Sequence, residues 1–370
     1  MRRLTYPALI LLASFSLSMS PVPMRAGEEQ HLLYVASPGV RNYVEHGGVG
    51  ILVFDVDKGY TFVRRIQTWS VPDSDRPENV KGIAASAATG RVYVTSLNRM
   101  IAIDAVSGKE IWDKTYEGGC DRMAISPDGK TLYVPQLEGT AWHVVNAMTG
   151  DVIATIDAKP GSHNTIYSSD GERVYLASLR SPVLSVADAR THKIASEVGP
   201  FDNMIRPFTV NGSNTLVFVN INGLLGFEVG DLRTGKKRYR VEVTGYSQGP
   251  VKRHACPSHG IALTPDEKEL WLADCANNAI HVFDATVMPP KQVTSIKVRD
   301  CVGWVSFSMD GRFGYSSTGE IIDVKTKKMV AALQDETGRQ VQSEKLLELV
   351  IENGKVIRAG NQFGVGMKQK

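Results

Sequence analysis

Cysteine is scarce, with four residues in a chain of 370. That excludes a small disulfide-stapled scaffold, because a core of this size needs no staples. Charge of one sign is also lacking: 42 basic residues face 39 acidic ones, for a net charge of +3. With no basic stripe, a nucleic-acid partner is not expected. Beyond the first turns of the chain, no apolar run is long enough to span a membrane. Familiar catalytic signatures are missing too. There is no Gly-x-Ser-x-Gly elbow, no His-Glu-x-x-His and no phosphate-cradling loop. Asn211-Gly-Ser213 fits a glycosylation pattern but reads as a hairpin turn.

The N-terminus does carry one short apolar run. Arg2 and Arg3 precede an apolar stretch from Leu9 to Leu17, and small residues follow at Ser18-Met19-Ser20 and Ala26. This reads as a secretory signal peptide over residues 1–26, leaving one exported domain over 27–370, periplasmic or extracellular. A monomer is expected. Export also permits a local disulfide.

The rest of the chain is a repeat. "GIAASAATGRVYVTS", "RMAISPDGKTLYVPQ", "NTIYSSDGERVYLAS", "GIALTPDEKELWLAD" and "WVSFSMDGRFGYSST" share one layout, and "PFTVNGSNTLVFVNI" fits it more loosely. Each is an apolar strand, a polar turn and a second apolar strand. A third strand usually follows and ends in Asp or Asn before a turn, as in "MIAIDAVSG" and "AWHVVNAMTG". A more polar fourth strand closes the unit. The hairpin turns fall at Gly90, Gly129, Gly171, Ser213, Glu267, Gly311 and Gly354. Four strands per period of roughly 40–45 residues predict an all-β, seven-bladed β-propeller. "HLLYVAS" opens the repeat region as a second strand, so the first blade lacks its innermost strand. The C-terminal segment is expected to supply it and close the ring, which removes open sheet edges. The tail "NQFGVGMKQK" reads as loose.

The slots "YVAS", "YVTS", "YVPQ" and "YLAS", together with the "PDGK" turn, resemble the YVTN-type repeat of exported bacterial seven-bladed propellers. The resemblance covers nearly the whole chain after residue 26. It implies the propeller fold. That family is compared with lactonase-type propellers and with the propeller domain of nitrous oxide reductase, and most of its members have no assigned activity.

In a propeller, the start of each first strand rings one mouth of the central channel. Those positions are Lys81, Asp121, His163, Arg206, His259 and Gly303, followed by Gly82, Arg122, Asn164, Pro207, Gly260 and Trp304. Three long connections, 37–50, 69–82 and 245–260, fall on the same face. Long loops gathered on one side of a rigid scaffold point to function. The expected site is therefore this mouth, with Lys81, Asp121, Arg122, His163, Asn164, Arg206, His259 and Trp304 as candidates. "KRHAC" adds a basic rim at Lys252, Arg253 and His254. A small anionic molecule or a protein partner would bind there, and binding is read ahead of catalysis. The alternative is a lactonase-type hydrolase. It would use His163 or His259 as base, Arg122 or Arg206 to hold an anion, and Asp121 to orient a histidine. A metal or redox accessory role would draw on His163, His259 and a cysteine. No cofactor is predicted, and a divalent metal ranks last. Cys256, Cys275 and Cys301 all approach the site face, so a disulfide is expected among them with its pairing open. Cys120 lies across the channel.

Overall fold

The computed structural model describes residues 29–69 and 78–367. The signal-peptide reading over 1–26 lies outside them. Seven antiparallel sheets form the blades of a β-propeller. No helix among the described residues is long and apolar enough to cross a membrane.

The repeat motif explains the blades chemically. In "SPDG", "SSDG", "TPDE" and "SMDG" the Ser or Thr hydroxyl bonds the Asp two residues on and accepts the backbone N–H five residues on. The pairs are Ser126–Asp128, Ser168–Asp170, Thr264–Asp266 and Ser308–Asp310. A side chain thus supplies the turn with the acceptor that its backbone lacks. In the fifth blade the left-handed residue is Asn214, one position after Ser213.

The tyrosine of each "YV" slot is fully buried and reaches toward the next blade. Tyr34 donates to Ala105 O at 2.8 Å and Tyr93 to Ala147 O at 3.2 Å, while Tyr133 meets His192 Nδ1 at 2.6 Å. Tyr315 donates to Glu348 Oε2 at 3.4 Å. Each ring therefore buries a large apolar body and spends its hydroxyl across a blade junction. Outer strands are polar: in Lys236–Glu242 and Lys291–Lys297 all residues but one, Val241 and Ile296 respectively, are exposed or half-buried. Charge on the outer edge discourages pairing with other chains.

The ring closes as the repeat predicts. Gln30–Ser37 pairs with Leu346–Glu352, with Leu32 opposite Leu349. The C-terminal hairpin contributes both its strands, so this blade has five.

The loose tail is not what the structure shows. Residues 361–367 run across the channel and plug it. Gln362 accepts from Ile83 N–H, donates to Met123 O, and its carbonyl accepts from Trp304 Nε1. Gly364 O accepts from Leu263 N–H and the Thr209 hydroxyl, and Gly366 N–H donates to Val210 O. Phe363 is buried against Trp304. This short polar segment is fixed by inner-strand groups from five blades, which no local pattern could reveal. Residues 368–370 lie outside the description.

Cys275 and Cys301 form a disulfide that ties the sixth blade to the start of the seventh. Cys256 and Cys120 are buried free thiols.

Candidate functional site

Three inner strands carry an irregularity at their mouth end. The register breaks between Ser162 and Asn164, between Ile205 and Phe208, and between Ser258 and Ile261. His163, Arg206 and His259 sit within these breaks. A bulge bends the strand and re-aims its side chain, and all three side chains line a common well at the channel mouth. Two neighbours suit the distortion. Pro207 has no N–H to leave unpaired. A Cβ on Gly260 would lie 2.5 Å from Trp304 Cα.

The well has a volume of about 150 Å³. Arg41, Lys81, Arg122, Arg206 and Lys345 line it, facing Asp121, Glu138 and Glu344, with His163, His254 and His259 among them. Cations therefore outnumber carboxylates. The plug formed by residues 361–367 closes the channel beneath the mouth. A separate cavity of about 270 Å³ opens at the hairpin-turn end.

Two polar centres organise the well. At the first, Asp121 Oδ2 meets His163 Nδ1 at 2.6 Å, with Lys81 Nζ 3.7 Å away. Burial alone would raise Asp121, but His163 and Lys81 hold it below the usual carboxylate range. Burial likewise lowers His163, against the pull of Asp121. At the second centre, Glu344 gathers cations. Its Oε2 accepts from Arg122 Nη2 at 2.8 Å and Lys345 Nζ at 3.1 Å. Its Oε1 lies 2.9 Å from His254 Nε2, close enough to pair as charges. That nitrogen still has no directed hydrogen bond. Burial opposes the charge on Glu344, yet Lys345, His254 and Arg122 keep it well below its ordinary value. Gly303 makes this approach possible, since a Cβ there would lie 2.2 Å from His254 Nε2.

Arg122 lies with its guanidinium 3.5 Å above the Trp304 ring. This cation–π contact anchors the guanidinium on the Trp304 ring. Its Nη1 is buried with no partner. Asn164 is fully buried with both side-chain polar atoms unpartnered. Asn164 and Trp304 are thus beneath the well and not in its lining, whereas the other six expected residues line it.

His254 and His259 stack at 3.7 Å with an interplanar angle of 13°. Together with Glu344 their donor atoms lie within 4.8 Å of one another. A metal–imidazole bond of about 2.0–2.1 Å lies in the ring plane, and two stacked, nearly parallel rings cannot both aim at one ion. Arg122 and Lys345 already occupy the carboxylate. His163 is engaged by Asp121 and does not join the group. The grouping in its present form is a poor fit to one ion.

The loops interlock above the well. Arg41 bonds Arg253 O, Arg253 lies over Tyr43, and Arg253 pairs with Asp300 at 2.8 Å. Residues 70–77 of the connection 69–82 lie outside the described residues.

Burial, reinforced by His254, lowers His259 well below its ordinary value. The unfolded imidazole titrates near 6.5. As pH falls through that value, the unfolded chain takes up protons that the folded one refuses, so stability falls. We expect a decline between about pH 7 and pH 5, and His259→Gln should flatten it by up to about 1.4 kcal/mol per pH unit. Urea unfolding at stepped pH measures this; identical slopes would contradict it.

Sequence reasoning missed Glu344 and Lys345. The signal was present: in "SEKLLELV" Lys345 immediately precedes the strand leading to Gly354, as Lys81 in "VKGIAAS" immediately precedes the strand leading to Gly90. These residues are the seventh member of the ring.

No family model matches the chain, and no curated protein matches it. Among solved structures it is similar to hydrazine synthase of Kuenenia stuttgartiensis. The identity is 14% and the TM-score 0.46, over 67% of this chain and 94% of that one. A likeness this distant carries nothing about function.

Proposed function

We propose that this propeller binds a small carboxylate-bearing anion in the well at its channel mouth. The observation that carries the reading is Arg122: it lines the well, is withdrawn from bulk water, and keeps Nη1 unpartnered. A buried donor without an acceptor is costly, and a ligand carboxylate is the acceptor a guanidinium matches best. The excess of cations over carboxylates supports the same sign of ligand. The export reading rests on residues 1–26, and kinship with the YVTN-type propellers on the tyrosine slots.

Lys81 and Arg206 are partly exposed and suit a first test. Calorimetric titration with malonate, pyruvate and phosphate should show binding that weakens with salt. Lys81→Gln and Arg206→Gln should each weaken malonate about tenfold, which corresponds to roughly 1.4 kcal/mol. Affinity unchanged in both variants would overturn the reading.

A second reading, lactone hydrolysis, draws on the 2.6 Å pair of His163 and Asp121. A carboxylate on Nδ1 fixes the tautomer and leaves Nε2 as a base toward water. If the protein opens sugar lactones, His163→Ala should slow turnover about 10²–10⁴-fold. No opening above the buffer rate by the unaltered protein removes this reading.

A further inference from the structure

We propose that Lys345 is a nucleophilic amine that forms an imine with a small 2-oxo acid whose carboxylate is held by Arg122. This rests on the anion-binding reading of the same well.

Placement comes first. Lys345 immediately precedes the strand Leu346–Glu352 and lines the well with its side chain almost wholly withdrawn from solvent. Its Nζ donates to Gly39 O at 2.7 Å and to Glu344 Oε2 at 3.1 Å. Gly39 is itself held by a parallel bridge to Ser343. Among the described residues these are its two acceptors. An ammonium carries three N–H donors and a neutral amine two. With two acceptors the ammonium has one N–H left unpaired, which eases loss of a proton, and the neutral amine that results has both its N–H groups satisfied.

The surroundings agree. Among the described residues Glu344 is the single carboxylate in contact with Nζ, and it is shared with Arg122 and His254. Arg122 and Lys81 add positive charge nearby, which disfavours a further cation. A desolvated lysine beside another cation is the usual way an amine is made nucleophilic. Burial, the largest influence, brings the Lys345 pKa down to about 7.

The substrate class follows from geometry. Arg122 and Lys345 touch the same Glu344 oxygen, so their groups are neighbours. A carboxylate accepted by the Arg122 guanidinium, whose buried Nη1 lacks a partner, would sit in the same corner of the well as Nζ. In a 2-oxo acid the carbon bonded to that carboxylate is the ketone. A well of about 150 Å³ admits only a few carbons. The amine adds to the carbonyl carbon, giving a carbinolamine. The C–O bond then breaks, and the carbonyl oxygen leaves as one water with both amine hydrogens. No oxidant or reductant is needed.

The test is reductive trapping. The full-length protein, with any signal peptide removed, is incubated with pyruvate and sodium cyanoborohydride, and every lysine is mapped by peptide mass spectrometry. We expect Lys345 to carry the adduct at least tenfold above any surface lysine. Lactate, which has the carboxylate but no ketone, should suppress it, and Lys345→Met should remove it. Should that variant fail to fold, the map of the unaltered protein decides alone. An adduct spread evenly over surface lysines overturns the proposal. Pyruvate titrated without reductant separates the two readings. Binding without an adduct overturns the imine and leaves the anion site standing; neither binding nor adduct overturns both.

Discussion

A chain ending at Ala359 is expected to unfold at much lower denaturant than the full-length protein. Residues 361–367 bury Phe363 against Trp304 and satisfy Ile83 N–H, Trp304 Nε1, Leu263 N–H and the Thr209 hydroxyl. Losing a buried phenylalanine costs about 3–5 kcal/mol. Each donor left without an acceptor costs about 1–3 kcal/mol unless water reaches it. Removing the plug admits some water, so these costs do not simply add. A loss of at least about 5 kcal/mol remains the expectation, comparable to the whole stability of many domains. Equilibrium urea unfolding checks it, with Phe363→Ala as the milder variant at about 3–5 kcal/mol. A truncation costing under about 1 kcal/mol would mean that the segment does not seal the channel.

Glu344→Gln is expected to be the most damaging single change within the well. It leaves Arg122 and Lys345 buried without the carboxylate that both contact. Breaking a buried ion pair from one side costs about 3–5 kcal/mol. Adding Lys345→Met should recover part of that loss, because one uncompensated amine is removed. Urea unfolding of the two single variants and the double variant gives the coupling. Strict additivity would show that Lys345 and Glu344 do not interact as their 3.1 Å contact implies. The pH dependence has a definite sign. The folded Glu344 ionises far below the unfolded value near 4.3, so its contribution is present above that pH and is lost as acid approaches the folded value.

The blades were legible because their chemistry is local. A Ser or Thr and an Asp two residues apart make the turn, and a tyrosine in the next strand fills the junction. Ring closure was legible from "HLLYVAS" standing where a second strand belongs. The mouth positions followed from alignment of the strand starts. What escaped was tertiary. His254 was expected on the basic rim, but its stacking on His259, made by the loop 245–260 folding back, was not. Glu344 and Lys345 lie in a blade split between the two ends of the chain, where the repeat is hardest to align. Asn164 and Trp304 are buried and absent from the lining, whereas Arg122, at the matching position, reaches it. The tail is short, polar and glycine-bearing; its order comes from inner-strand groups that the sequence does not place beside it.

The direct test of the central claim is a crystal structure grown at low ionic strength and soaked in malonate. Malonate is expected in the well, with a carboxylate oxygen on the Arg122 guanidinium and further oxygens near Lys81 or Arg206. A well holding only ordered water, with malonate bound elsewhere or nowhere, would contradict it.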